Sequence, residues 1–133
     1  MTDFLMDTVA FVHYLEDNLP GSAESAVDQA ERGKGSLLLP QIVLGEFIYI
    51  TLKGRLNIPN PISSIGQIID QLRGSPLFSI SSMPLEAWDI FTQLKVPELH
   101  DRMIAAEALA RDLPVISNDP SLASVKDLKI IWK

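Results

Sequence analysis

Five short apolar runs recur along this chain: Phe4-Leu5-Met6, Gly35 to Leu39, Leu77 to Ile80, Val115-Ile116-Ser117 and Leu128 to Trp132. All but the last pair are separated by stretches whose apolar residues return at helical spacing. Runs this short and continuous suit strands buried on both sides. Their alternation with helices favours an α/β fold with a central parallel sheet of about five strands, covered on both faces. The 133 residues suit one domain, 1–133, able to bury about two thirds of its unfolded surface. No repeat, low-complexity tract or linker divides it.

The helical stretches have legible limits. Phe11, Leu15 and Leu19 lead from Asp7-Thr8 to Pro20-Gly21, and Ser22 to Arg32 follows as a modest amphipathic helix ended by Gly33. Pro40 fits the first turn of a helix carrying Val43, Phe47 and Ile50 to Gly54. A rigid loop at Asn57 to Pro61 precedes a helix with Ile65, Ile68, Ile69 and Leu72 that ends at Gly74. Pro84 is expected to start the next, with Trp88, Phe91 and Leu94 on its core side. His100 to Asp112, rich in Ala and Leu, is expected to be a helix buried between other elements.

Without cysteine, thiolate metal sites, disulfides and cysteine nucleophiles are excluded, so any metal must be held by oxygen or imidazole. No basic region followed by an apolar stretch opens the chain at Met1-Thr2-Asp3, and no apolar run approaches a membrane span. A cytoplasmic protein with no membrane contact is the expectation. The net charge of −6 counts against a protein that grips nucleic acid simply by neutralising its phosphates. Divalent cations held by some of those acids would weaken that objection.

Four carboxylates stand out. Asp7 ends the first strand and could simply cap the helix after it, Asp101 opens the Ala-rich helix and could do the same, and Asp119 before Pro120 could initiate an Asx turn. Glu46 has Ile42 and Ile50 one turn away on either side, and a carboxylate in such surroundings needs a cation, a hydrogen-bond partner or a raised pKa. Taken together, Asp7 and Asp119 follow strands and Asp101 starts the helix between, so all three can meet outside the carboxyl ends of the sheet, where α/β proteins bind ligands. Carboxylates about 4 Å apart repel by about 4 kcal/mol at an effective dielectric of 20, a conflict that a divalent cation removes. Oxygen-only ligation suits Mg2+ or Mn2+, and such sites commonly act on phosphate esters.

The strings Leu99-His100-Asp101-Arg102-Met103-Ile104-Ala105-Ala106 and Leu113-Pro114-Val115-Ile116-Ser117-Asn118-Asp119 closely resemble the second half of a PIN domain. Phe4-Leu5-Met6-Asp7-Thr8 and Pro40 to Glu46 resemble its first half, so the likeness spans essentially the whole chain. It implies a three-layer α/β/α sandwich and an Mg2+- or Mn2+-dependent ribonuclease. Asp7, Glu46, Asp101 and Asp119 would be its catalytic, metal-holding acids, with Thr8 and Ser117 in support; Arg102, read by itself, could pair with Asp101, bind substrate phosphate or lie solvated on the surface. Small proteins of this kind resemble VapC-type toxins, which implies an RNA substrate, a cognate antitoxin and a homodimer. Val9 departs from the polar residue often found after the first acid.

Two other functions are open on the sequence alone: a regulatory module that keeps the fold and binds RNA or protein without turnover, and a metal-dependent phosphatase for small substrates. His100 reads as a surface residue at a helix start, Gly33-Lys34-Gly35-Ser36 as a turn and not a phosphate loop, and His13 and Tyr14 as packing residues.

Overall fold

A computed structural model describes residues 2–133, so that of the expected domain only Met1 lies outside it. The described residues form five strands and seven helices. In chain order these are β1 (Phe4–Met6), α1 (Thr8–Leu15), α2 (Gly21–Glu31), β2 (Leu37–Pro40), α3 (Gln41–Leu52), α4 (Pro61–Arg73), β3 (Phe78–Ser81), α5 (Ala87–Gln93), α6 (Leu99–Arg111), β4 (Val115–Ile116), α7 (Pro120–Ala123) and β5 (Ile130–Ile131). All strand pairs are parallel, in the order β3-β2-β1-β4-β5. This is the α/β sheet that the apolar runs predicted.

β1 lies in the middle of the sheet, with Leu5 paired to Leu38 on one side and to Val115 on the other. Phe4, Leu5 and Met6 are accordingly all buried, as a strand covered on both faces must be. The chain adds β2 and β3 outward on one side of β1, then returns to place β4 and β5 on the other. Right-handed crossovers put the helices after β1 and β2 on one face and those after β3 and β4 on the opposite face. The reversal of direction falls at the β1–β4 seam, where α/β sheets open a crevice beyond their carboxyl ends.

Packing fixes this frame around Phe11 of α1. Its ring meets Phe47 of α3 edge-on at 5.2 Å and Phe78 of β3 at 6.0 Å, and lies parallel to Tyr14 at 6.5 Å. On α2 the buried side is Ala23, Ala26, Val27 and Ala30, small residues that let the helix approach the sheet. α6 buries five consecutive residues, Ile104 to Ala108, in keeping with a helix enclosed on several sides. Gly35 is needed for close approach: a Cβ there would stand 1.9 Å from the carbonyl oxygen of Thr2. The turn before it uses Gly33 at φ +77°. No helix among the described residues is long and apolar enough to cross a membrane.

Several limits differ from those read in the sequence. Pro40 is the last residue of β2, paired in register with Ser81, and immediately precedes α3 instead of lying in its first turn. Its fixed φ suits the extended strand end equally well. Pro84 begins a turn, and α5 starts only at Ala87. Ala87 is the residue buried there, while Trp88 is 42% exposed and packs edge-on against Phe91.

Candidate active site

Asp7 follows the last residue of β1 and is 4% exposed. Its N–H donates to the carbonyl of Ile116 at 3.2 Å, continuing the β1–β4 ladder, and its Oδ1 accepts the N–H of Ala10 at 2.9 Å. The expected helix cap is therefore real. It occupies one oxygen of the carboxyl and leaves the other free. Across the seam, Ser117 is fully buried, and its hydroxyl accepts the Asp119 N–H at 3.0 Å and lies near enough to the Asp7 carboxyl to favour its ionised form. One hydroxyl thus ties the acid after β1 to the acid after β4.

Asp119 caps the short α7, its Oδ1 accepting the Ser121 N–H at 2.9 Å and the Ser121 hydroxyl at 2.8 Å. Asp101 sits in the first turn of α6 but does not cap it. The cap is Glu98, whose Oε1 accepts the N–H of Asp101 at 2.9 Å and whose Oε2 accepts the N–H of His100 at 3.1 Å. The Asp101 carboxyl is left free to approach Asp119, near enough for the two acids to perturb each other's ionisation.

Ionisation reflects this crowding. Burial pushes Asp7 up from 3.8 to about 6, with the Ser117 and Ala10 hydrogen bonds pulling the other way and the charges of Asp119 and Glu46 adding to the rise. Asp101 rises to about 7, first through burial, then through its hydrogen bond to Asp119 and the charges of Asp119, Glu98 and Asp7. Burial also acts to raise Asp119, but the Ser121 amide, the Ser121 hydroxyl and Asp101 outweigh it and hold Asp119 below the usual range.

Glu46 completes the group from α3. It is less enclosed than its apolar neighbours in sequence suggest, at 28% side-chain exposure, and it finds partners on two other helices. Its Oε1 accepts the Thr8 hydroxyl, and its Oε2 faces Nδ1 of His100 at 3.3 Å. The same Nδ1 lies 2.8 Å from Glu98. His100, read as a surface residue, therefore stands between two carboxylates at the rim of the crevice, and Glu98 was not singled out at all. The signal for Glu98 was present: an acid three residues ahead of Asp101, immediately before an apolar helix start, fits the cap position even though Ser, Thr, Asp and Asn are the usual occupants.

Arg102 is directed elsewhere. Its Nε donates to the Phe91 carbonyl at 2.8 Å, its guanidinium lies 4.7 Å from the Phe91 ring centre, and a second N–H reaches the Thr92 carbonyl at 3.3 Å. It joins α6 to α5. Val9, next to Thr8 at the start of α1, is 44% exposed and has no polar side-chain atom to offer.

Asp7, Asp101 and Asp119 thus interact directly, with Glu46 near enough to Asp7 to affect its ionisation. Among the described residues no three Asp, Glu or His side chains converge tightly enough to enclose a single ion as they stand. The donor chemistry nevertheless fits Mg2+ or Mn2+: every acid offers oxygen, and a cation would relieve the mutual repulsion that adds to the rise of Asp7 and Asp101.

Residues 4–128 match the profile of the PIN domain family, and the chain belongs to that family, whose members are nucleases. A search of curated protein sequences finds no match. Among solved structures, the crystal structure of VapBC2 from Rickettsia felis bound to a DNA fragment from their promoter is similar with a TM-score of 0.75 and 15% identity, over 97% of this chain and 97% of that one. FitAcB from Neisseria gonorrhoeae is similar at 0.66 and 20% identity, over 96% and 95%. PAE2754 from Pyrobaculum aerophilum is similar at 0.63 and 17% identity, over 97% and 89%. Likeness at these identities shows the fold.

Proposed function

We propose that this protein is an Mg2+- or Mn2+-dependent endoribonuclease that hydrolyses RNA phosphodiesters as the toxin of a toxin–antitoxin pair. The observation that supports this reading is the placement of Asp7 and Asp119 just beyond the carboxyl ends of the adjacent strands β1 and β4, with Asp101 in the first turn of α6 near enough for its charge and theirs to interact. Asp7, Glu46, Asp101 and Asp119 are the oxygen donors that would hold the ion. When bound, such a cation supplies positive charge for the phosphate and makes water a better nucleophile. Ser117 orients Asp7 and fixes the backbone at Asp119, and Thr8 restrains Glu46. Arg102 supports the site indirectly, by fixing the start of α6 against α5.

The likeness to VapBC2, a complex crystallised with a DNA fragment from their promoter, supports a cognate antitoxin as partner. Large apolar side chains left exposed, among them Tyr49 and Leu52 on α3 and Ile62 on α4, support protein contacts of that kind, including a homodimer. A cytoplasmic location accords with an RNA substrate.

Oligoribonucleotides incubated with the purified protein and Mg2+ or Mn2+ test the reading. Cleavage is expected, and chelation is expected to stop it. Asp7→Asn and Asp101→Asn are each expected to slow it by at least about a hundredfold, in line with the loss of groups that act on developing charge. Full-rate cleavage by either variant would make the assignment wrong.

A further inference from the structure

The capping carboxylate of α6 does more than end a helix. Glu98 uses both oxygens, one on the N–H of Asp101 at 2.9 Å and the other on His100, at 3.1 Å from its N–H and 2.8 Å from its Nδ1. The imidazole so held has its Nδ1 3.3 Å from Glu46, whose other oxygen accepts the Thr8 hydroxyl. Hydrogen bonds thus join Glu98 to His100 and Thr8 to Glu46, and the 3.3 Å approach of the imidazole to Glu46 links the two pairs, from α6 to α3 and on to α1. Between two carboxylates, Nδ1 has only acceptors to face and must carry the proton, which assigns the tautomer of a neutral ring.

We infer that Glu98 is a positioning residue: by one carboxylate it sets the backbone of Asp101 and aims His100 at Glu46, so that two of the four acids are held from a single point. This rests on the metal-dependent reading above. A helix cap alone needs an acceptor for the orphan N–H groups of the first turn, and a serine would satisfy that need. It does not need an imidazole bonded to the same carboxylate and directed at an acid on another helix. The partners of metal-binding side chains commonly matter to affinity in this way, and losing one weakens binding about 10- to 100-fold.

The test compares Glu98→Ser, His100→Ala and the double variant with the unaltered protein. Serine keeps a cap, so that the fold is retained, but is too short to reach the ring. Thermal unfolding checks retention, nitrogen NMR of the two histidines in metal-free protein reads which ring nitrogen is protonated, and calorimetric titration with Mn2+ alone reads affinity. The expected result is a proton fixed on Nδ1 of His100 that becomes a mixture of the two tautomers in Glu98→Ser, where only the longer contact to Glu46, 3.3 Å against 2.8 Å, remains. Mn2+ binding is expected to be about tenfold weaker or more in each single variant, and the double variant no weaker than the worse of the two. A purely structural cap would lower stability without moving the NMR signal or the affinity. Either an unchanged tautomer or an unchanged Mn2+ affinity in Glu98→Ser overturns the inference. If the unaltered protein binds Mn2+ but cleaves no RNA, the nuclease reading fails and the positioning role stands; if it binds no Mn2+, both fail.

Discussion

Replacing Asp7 by Asn should stabilise the metal-free protein above neutrality while abolishing its activity. In the folded state the Asp7 carboxyl is raised from 3.8 to about 6 by burial. The native state therefore holds its proton more tightly than the unfolded chain does, and stability falls as pH rises from about 4 to about 6, with the whole loss in place above that. Moving a carboxyl from 3.8 to about 6 corresponds to about 3 kcal/mol once the group is ionised. At 4% exposure little of this is screened by solvent. Asparagine keeps the helix cap, since its oxygen can accept the Ala10 N–H, and its amide can donate to the neighbouring carboxylates. The variant is thus expected to exceed the parent by about 2–3 kcal/mol at pH 8, or roughly 10 °C in Tm, and to match it below about pH 4. Denaturation in urea with a chelator present, repeated from about pH 4 to about pH 8.5, measures this across the window of the shift. Adding Mn2+ at about a hundred times its dissociation constant should return about 2.7 kcal/mol to the parent and nearly close the gap. Equal or lower stability of Asp7→Asn at about pH 8, or a difference that does not vary with pH, would refute the reasoning.

Metal binding should release protons near pH 7, because Asp101, raised to about 7, must give up its proton to ligate; titration in two buffers of different ionisation enthalpy counts them. Gly35→Ala should destabilise by roughly 1–3 kcal/mol, since its Cβ would meet the Thr2 carbonyl, whereas Gly45→Ala, inside α3 with nothing within 4 Å, should stabilise by up to about 1 kcal/mol. Urea denaturation decides both. Glu107 is buried, accepting from the Ser81 hydroxyl at 2.6 Å and from Arg111 at 2.9 Å, so Glu107→Ala should cost about 2–3 kcal/mol. Asp28→Ala, which breaks the exposed pair with Arg32, should stay within about 0.5 kcal/mol of the parent.

The sheet was legible because a strand covered on both faces must be apolar throughout, and Phe4-Leu5-Met6 and Val115-Ile116 admit few other readings. The three aspartates of the site were legible by place, each lying at the junction where a strand ends or a helix starts. Less visible was anything that depends on partners distant in sequence. Glu46 looked buried among apolar neighbours along its helix, yet what governs it is Thr8, 38 residues earlier, and His100 on α6. Arg102 looked poised beside Asp101, but the arrival of α5 gave it carbonyls to bind. Trp88 had the spacing of a core residue, and the short helix instead turned Ala87 inward. In each case the periodicity was real, and a neighbour brought by the fold decided which face it served.

The seam between β1 and β4 also bears on when the site can come into being. β1 receives β2 early, from sequence close by, but Asp101, Ser117 and Asp119 belong to elements that are synthesised much later and dock on its other edge. Until they do, Asp7 has neither Ser117 to bond nor Asp119 to repel, and half of the sheet lies open. A growing chain therefore carries Asp7 and Glu46 well before the elements that bring Asp101 and Asp119, and the four acids can be brought near one another only once the later strand closes against the first.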